Sequence, residues 1–149
     1  MDHAVKDMVT WIARAPALEQ ISAERQGVEA SLVKAMARDL GLPAVRFFEM
    51  IGVPRATAEK RAASRGFIDG AAGQAALGVA SLIRLAKEMA EASTAPEAKT
   101  FDSTRWLGQW LESPSPALRG MRPGDMLDTP TGRKVVHNLL GSLISGSYQ

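Results

Sequence analysis

Between Pro43 and Arg65 the chain reads PAVRFFEMIGVPRATAEKRAASR, two short helical segments around a Gly52-Val53-Pro54 break. Pro43 suits the first turn of a helix, where no amide hydrogen is needed. Val45, Phe48 and Ile51 are expected to face inward from the segment Ala44–Ile51. Gly52 can take the positive φ of a tight turn without steric penalty. The second segment, Arg55–Arg65, offers Ala58, Ala62 and Ala63 as a small buried face and turns Arg55, Thr57 and Glu59 outward. Helix, short glycine turn, helix is the pattern of a helix-turn-helix.

The flanking sequence is helical in period as well. Val5, Met8, Val9 and Ile12 recur at helical intervals over the first fourteen residues, and Pro16 ends that run because proline disfavours helical geometry in the residue before it. A short helical piece is expected over Leu18–Gln26. A firmer helix follows over Val28–Leu40, with Val33, Met36, Ala37 and Leu40 on one face and Gly41 as its C-cap. Gly66 to Gly73 reads as a glycine-rich loop with Asp69 as an N-cap. Beyond it a long helix, Ala71–Ala92, is apolar over a face wide enough for two neighbours. No stretch alternates strictly between apolar and polar residues, so the expected fold is all-α.

With 149 residues the chain can bury a true core. It has no cysteine, which removes disulfides and thiolate metal sites and suits a reducing cytoplasm. No apolar run reaches the roughly 18 residues of a membrane helix, and the start lacks the basic and apolar regions of a signal peptide. A cytoplasmic protein without membrane contact is expected. The formal charge of +2 is small, yet six basic and three acidic residues lie between Arg38 and Arg65. That local excess fits a phosphate-facing surface, and Arg46, Arg55, Thr57, Lys60 and Arg61 are the candidate DNA contacts. Glu49 and Glu59 mix the sign, so an ordinary solvated helix is the competing explanation.

No catalytic constellation stands out. Asp125 and Asp128 are three apart without further ligands nearby, and Asp128-Thr129-Pro130 reads as a helix stop followed by a cap. His3 and His137 are remote from each other and lack a metal-ligand spacing. No serine has a credible His/Asp arrangement, and the glycines match no phosphate-binding fingerprint. The expectation is a non-enzymatic protein with no cofactor, metal or small-molecule substrate.

The last fifty residues carry the sharpest order of signals. Phe101–Leu111 is an amphipathic helix with Trp106 and Trp110 one turn apart, Trp106 being the expected core residue beside Leu107 and Leu111. Pro114-Ser115-Pro116-Ala117-Leu118 is a rigid turn, Pro123 to Thr129 a second one, and Pro130-Thr131-Gly132 opens a helix carrying Val136, Leu139, Leu140, Leu143 and Ile144. Gly146-Ser147-Tyr148-Gln149 follows. This string resembles the toxin-binding domain of the Xre/MbcA/ParS family of bacterial antitoxins: a Trp-Leu helix, a Pro-x-Pro-Ala-Leu turn, a proline-to-Leu-Asp-Thr step, a glycine-opened helix and a Gly-x-Tyr end. Residues 28–91 resemble the family more loosely. Phe67 to Ala76 replaces the polar Leu-Ser/Thr-x-x-x-Ser-x-Arg entry common there, so no role of those residues carries over.

The resemblance implies a Cro/Xre-like helix-turn-helix bundle followed by a small helical toxin-binding domain. The expected division is 1–26 as an N-terminal extension, 27–92 as the bundle, 93–100 as linker and 101–149 as the toxin-binding domain. It further implies the antitoxin of a type II pair, most like those partnered with RES-domain toxins that consume NAD⁺ or transfer ADP-ribose. In such pairs the antitoxin's C-terminal end blocks the toxin's active site. On that reading Arg133, Lys134 and His137, with Gly146, Ser147, Tyr148 and Gln149, are the candidate toxin contacts. A homodimer that binds its own operator DNA is also implied. A stand-alone helix-turn-helix regulator, or an adaptor using the same domain, remains the alternative.

Overall fold

A computed structural model describes residues 1–146, which form eight α-helices and one pair of very short strands. Helix α1 (His3–Ile12) starts where the Asp2 carboxylate accepts the amides of Ala4 and Val5, and it buries Val5 and Val9. Helix α2 (Ala17–Gln26) buries no residue at all, and its Leu18 is 79% exposed. Strand β1 (Val28–Glu29) leads into α3 (Ala30–Leu40), which buries Val33, Met36, Ala37 and Leu40 and ends on Gly41 in the left-handed conformation. Helices α4 (Ala44–Met50) and α5 (Arg55–Ala63) enclose the expected tight turn, with Gly52 at φ +88°.

The inward face of α4 differs from the one expected. Phe47, Phe48, Met50 and Ile51 are buried while Val45 is 45% exposed. The helix buries its aromatic pair and leaves the smaller valine outside, the larger apolar area winning the core position. On α5 only Ala58 is buried and Ala63 is exposed.

The stretch expected as a loop before the long helix is more ordered than a loop. Phe67–Ile68, strand β2, pairs antiparallel with β1 in the register Val28↔Ile68 and Glu29↔Phe67. Two residues are too few for alternation to show in the sequence. Helix α6 (Gly70–Ala92) begins directly afterwards. Asp69 occupies the N-cap position, but its side chain makes no capping hydrogen bond.

Helix α6 is the central post. It packs against α1 and α2 on one side and against α7 (Ser103–Leu111) and α8 (Pro130–Ser145) on the other. This explains the breadth of its apolar face, where Ala75, Ala76, Val79, Ala80, Leu82, Ile83 and Ala86 are all buried. A 3₁₀ turn at Pro96–Lys99 joins α6 to α7, and two more, Pro116–Leu118 and Pro123–Met126, join α7 to α8. Asp102 caps α7 by accepting the Arg105 amide. Leu107 and Leu111 are completely buried, whereas Trp106 and Trp110 are half-buried and stack on each other with ring centroids 6.2 Å apart. Trp106 therefore flanks the core instead of filling it.

The buried apolar residues form one cluster running from Val5 and Val9 to Val136 and Leu140. A very tight joint in it is α7 on the end of α3. A Cβ placed on Gly108 would lie 1.8 Å from the Leu40 carbonyl oxygen. No side-chain rotation relieves a clash against backbone. Gly108→Ala is expected to lower stability by about 3 kcal/mol or more despite alanine's better helix propensity, read as a reduced melting temperature in thermal unfolding. A melting temperature at or above the wild-type value would show that α7 can lift off α3.

Candidate functional site

Helix α8 is built to hold its beginning still. Pro130 takes the first helical position, and the Thr129 hydroxyl oxygen accepts the Gly132 amide at 2.9 Å, a side-chain cap for one of the donors that every helix start leaves unpaired. Thr129 therefore performs the capping expected of the Asp128-Thr129 pair, and Asp128 itself is exposed. Val136 and Leu140 are buried against the core, and Leu139 and Leu143 are partly so. Lys134, Val135, His137 and Asn138 face solvent. At the far end Gly146 caps the helix in the left-handed conformation, its amide donating to the Ser142 carbonyl. Ser147, Tyr148 and Gln149, expected as toxin contacts, lie outside the described residues.

Arg133 does not share the solvent-facing surface of Lys134 and His137. Its Nη1 donates to the Leu127 carbonyl at 3.0 Å, and its aliphatic stem lies over Gly78 of α6, where a Cβ would come within 2.7 Å of Arg133 Cδ. Burial lowers the pKa of its guanidinium, against the opposing pull of the Asp128 carboxylate. Arginine stems commonly pack in this way while the head keeps a hydrogen bond. Arg133 thus fixes the start of α8 on α6, a structural task that its place beside Lys134 in the sequence does not reveal. Gly78, a glycine amid a long helix, was the signal that something presses on α6 there.

Arg46, a candidate DNA contact from the sequence, has its guanidinium committed within the molecule. Nε and Nη2 both reach the Glu112 carboxylate, at 2.8 to 3.1 Å, and Nη2 also donates to Asp125 at 2.7 Å. The hydrogen bond to Glu112 is the main reason its pKa is raised. Arg122 approaches the same Glu112 at 3.8 Å. Glu112 ends α7 and lies 66 residues beyond Arg46, so nothing in the local pattern links them. The contact ties the first helix of the helix-turn-helix to the C-terminal module. Met50 against Gly124 and Gly52 beside Asp128 extend the same seam.

The remaining DNA candidates lie on α5. Arg55, Thr57, Lys60 and Arg61 are all exposed. Arg55 pairs with Glu59 at 3.1 Å, an exposed i,i+4 contact worth only a few tenths of a kcal/mol, and Arg61 donates to the Phe67 carbonyl at 3.2 Å. A helix exposed nearly all round and carrying three cations is a poor core element and a ready surface one. Among the described residues no group of three or more acidic, histidine or cysteine side chains gathers to hold a metal ion, and no helix is long and apolar enough to cross a membrane.

Fold and faces together define a helix-turn-helix protein that carries a C-terminal helical module with an open helix face for a partner. Residues 19–81 match the antitoxin Xre-like helix-turn-helix domain, and residues 98–146 match the antitoxin Xre/MbcA/ParS C-terminal toxin-binding domain. A curated relative, the Prs ADP-ribosylating antitoxin of Sphingobium sp. (strain YBL2), is 33% identical over 135 residues, covering 91% of this chain and 84% of the relative. The chain belongs to the Xre/MbcA/ParS antitoxin family: it is a toxin-binding antitoxin with a helix-turn-helix domain.

The Arg46 seam is testable without a partner. Arg46→Ala is expected to destabilise the protein by about 1–2 kcal/mol, since the contact is only partly screened from water. A double-mutant cycle with Glu112→Gln should return a coupling of about 1 kcal/mol in denaturant unfolding. Strictly additive effects would mean the pair contributes nothing to holding α4 on α7.

Proposed function

We propose that this antitoxin neutralises a RES-domain toxin, one that consumes NAD⁺ or transfers ADP-ribose, by occluding its active site with the C-terminal end of α8 and the residues beyond it. It acts by occupancy, not by chemistry of its own. The observation that carries the reading is the construction of α8: a start fixed by Thr129, Pro130 and Arg133, and an end closed by Gly146. An anchored helix delivers its terminal residues with little loss of freedom on binding. Lys134 and His137 lie on the exposed side of that helix and serve as contacts to the toxin, with Ser147, Tyr148 and Gln149 entering the cleft. The word "ADP-ribosylating" in the relative's name supports this class of partner.

Co-expression with a cognate RES-domain toxin tests the mechanism. Deleting Ser147–Gln149 should leave the melting temperature unchanged and abolish growth rescue. Full rescue by the shortened antitoxin rejects occlusion by the tail.

A second role is proposed for α5, on the strength of its exposed cations: the antitoxin binds operator DNA as a dimer and represses its own operon. Leu18 and Ile21, exposed on α2, support a surface for the second copy. Lys60→Ala should weaken operator binding uniformly across sequences and reduce the dependence of log affinity on log salt by about one unit. An unchanged salt slope in a titration of fluorescent operator DNA would remove Lys60 from the interface.

A further inference from the structure

Glycine is a poor residue for a helix interior, since it loses the most backbone freedom on ordering. Five glycines lie beyond the first residue of an α-helix: Gly73, Gly78, Gly108, Gly132 and Gly141. Four have an evident cause. A Cβ on Gly73 would stand 2.5 Å from the Ile68 carbonyl oxygen, on Gly78 2.7 Å from Arg133 Cδ, on Gly108 1.8 Å from the Leu40 oxygen and on Gly132 1.8 Å from the Met126 oxygen. Gly141 has none: among the described residues nothing outside the helix's own backbone lies within 4 Å of the added atom.

We propose that Gly141 marks where the toxin comes closest to α8, seating a main-chain segment flanked by acidic side chains across the face formed by Lys134, Asn138 and Gly141. The inference rests on the reading that α8 faces the toxin. At 3.6 residues per turn these three positions stack on one side of the helix, opposite Val136, Leu140 and Leu143. His137 borders the face and is exposed, as are Lys134 and Asn138. The one charged side chain of this face is Lys134, and from Thr129 onward the sequence holds no acidic residue to offset it. Such a face complements an acidic partner and repels a basic one. It is also continuous with the matched toxin-binding domain, which reaches residue 146. A missing Cβ lets another backbone approach a helix closely, bringing carbonyl oxygens within reach of the Asn138 amide and the Lys134 ammonium.

Three substitutions separate folding from docking, with a catalytically silent variant of the cognate RES-domain toxin as the probe. Gly141→Ala should raise the free antitoxin's melting temperature by about 2–4 °C while weakening toxin binding. Gly141→Leu should keep the far-ultraviolet circular dichroism of the free protein and weaken toxin binding about 100-fold or more, as a bulky insertion at a closely packed interface centre does. Lys134→Glu should slow association. If Gly141→Leu binds with wild-type affinity while loss of Ser147–Gln149 still abolishes rescue, the inference falls and the neutralisation reading stands. If Gly141→Leu changes only self-association, the face belongs to a second copy of this chain and the inference falls as well. If the wild-type antitoxin does not bind the RES protein at all, the reading beneath it fails.

Discussion

The structure depends on the place where the α7 backbone meets the end of α3, at Gly108 and the carbonyl of Leu40. Side-chain contacts can adjust by rotation, but a contact between two backbones fixes distance and rotation together. With α7 set there, Leu107 and Leu111 reach the core, Trp106 and Trp110 stack along its margin, and Glu112 arrives opposite Arg46. The Arg46 contacts then hold the turn around Asp125 against α4, and that turn presents Thr129 to cap α8. A chain of local contacts thus leads from the helix-turn-helix to the helix expected to meet the toxin.

Most of the helices were legible in the sequence because helix formation leaves a local signature. The period of Val5, Val9 and Ile12, the Gly41 cap, the Gly52 turn and the Pro130 start each rest on a few consecutive residues. What was not legible depends on partners far along the chain. Arg46 has the sequence context of a phosphate contact, and only the arrival of Glu112 and Asp125 reveals its structural task. Arg133 is adjacent to Lys134 in sequence, but a helix points neighbours about 100° apart, and the gap over Gly78 takes the first and not the second. Val45 was placed inward by spacing alone, because spacing does not say which of two overlapping apolar faces will be chosen.

The same contrast runs through the C-terminal signals. Of the residues that make the string recognisable, the prolines shape turns, Asp125 clamps Arg46 and the tryptophans flank the core. The solvent-facing residues of α8 are less distinctive as letters, and only the resolved helix separates Lys134, His137 and Asn138 from Arg133. Gly141 is the clearest case: glycines look alike in a sequence, and only a structure tells which of them are required by neighbours within the same chain.

The continuous core from Val5 to Leu140 has a bearing on how this protein would be lost. Where modules share apolar surface, opening one strips the other of its cover, and the two unfold together. A protease that engages either module by unfolding it would therefore remove the helix-turn-helix and α8 in a single event. Partial survivors, able to occupy one site but not the other, would be rare products of such turnover.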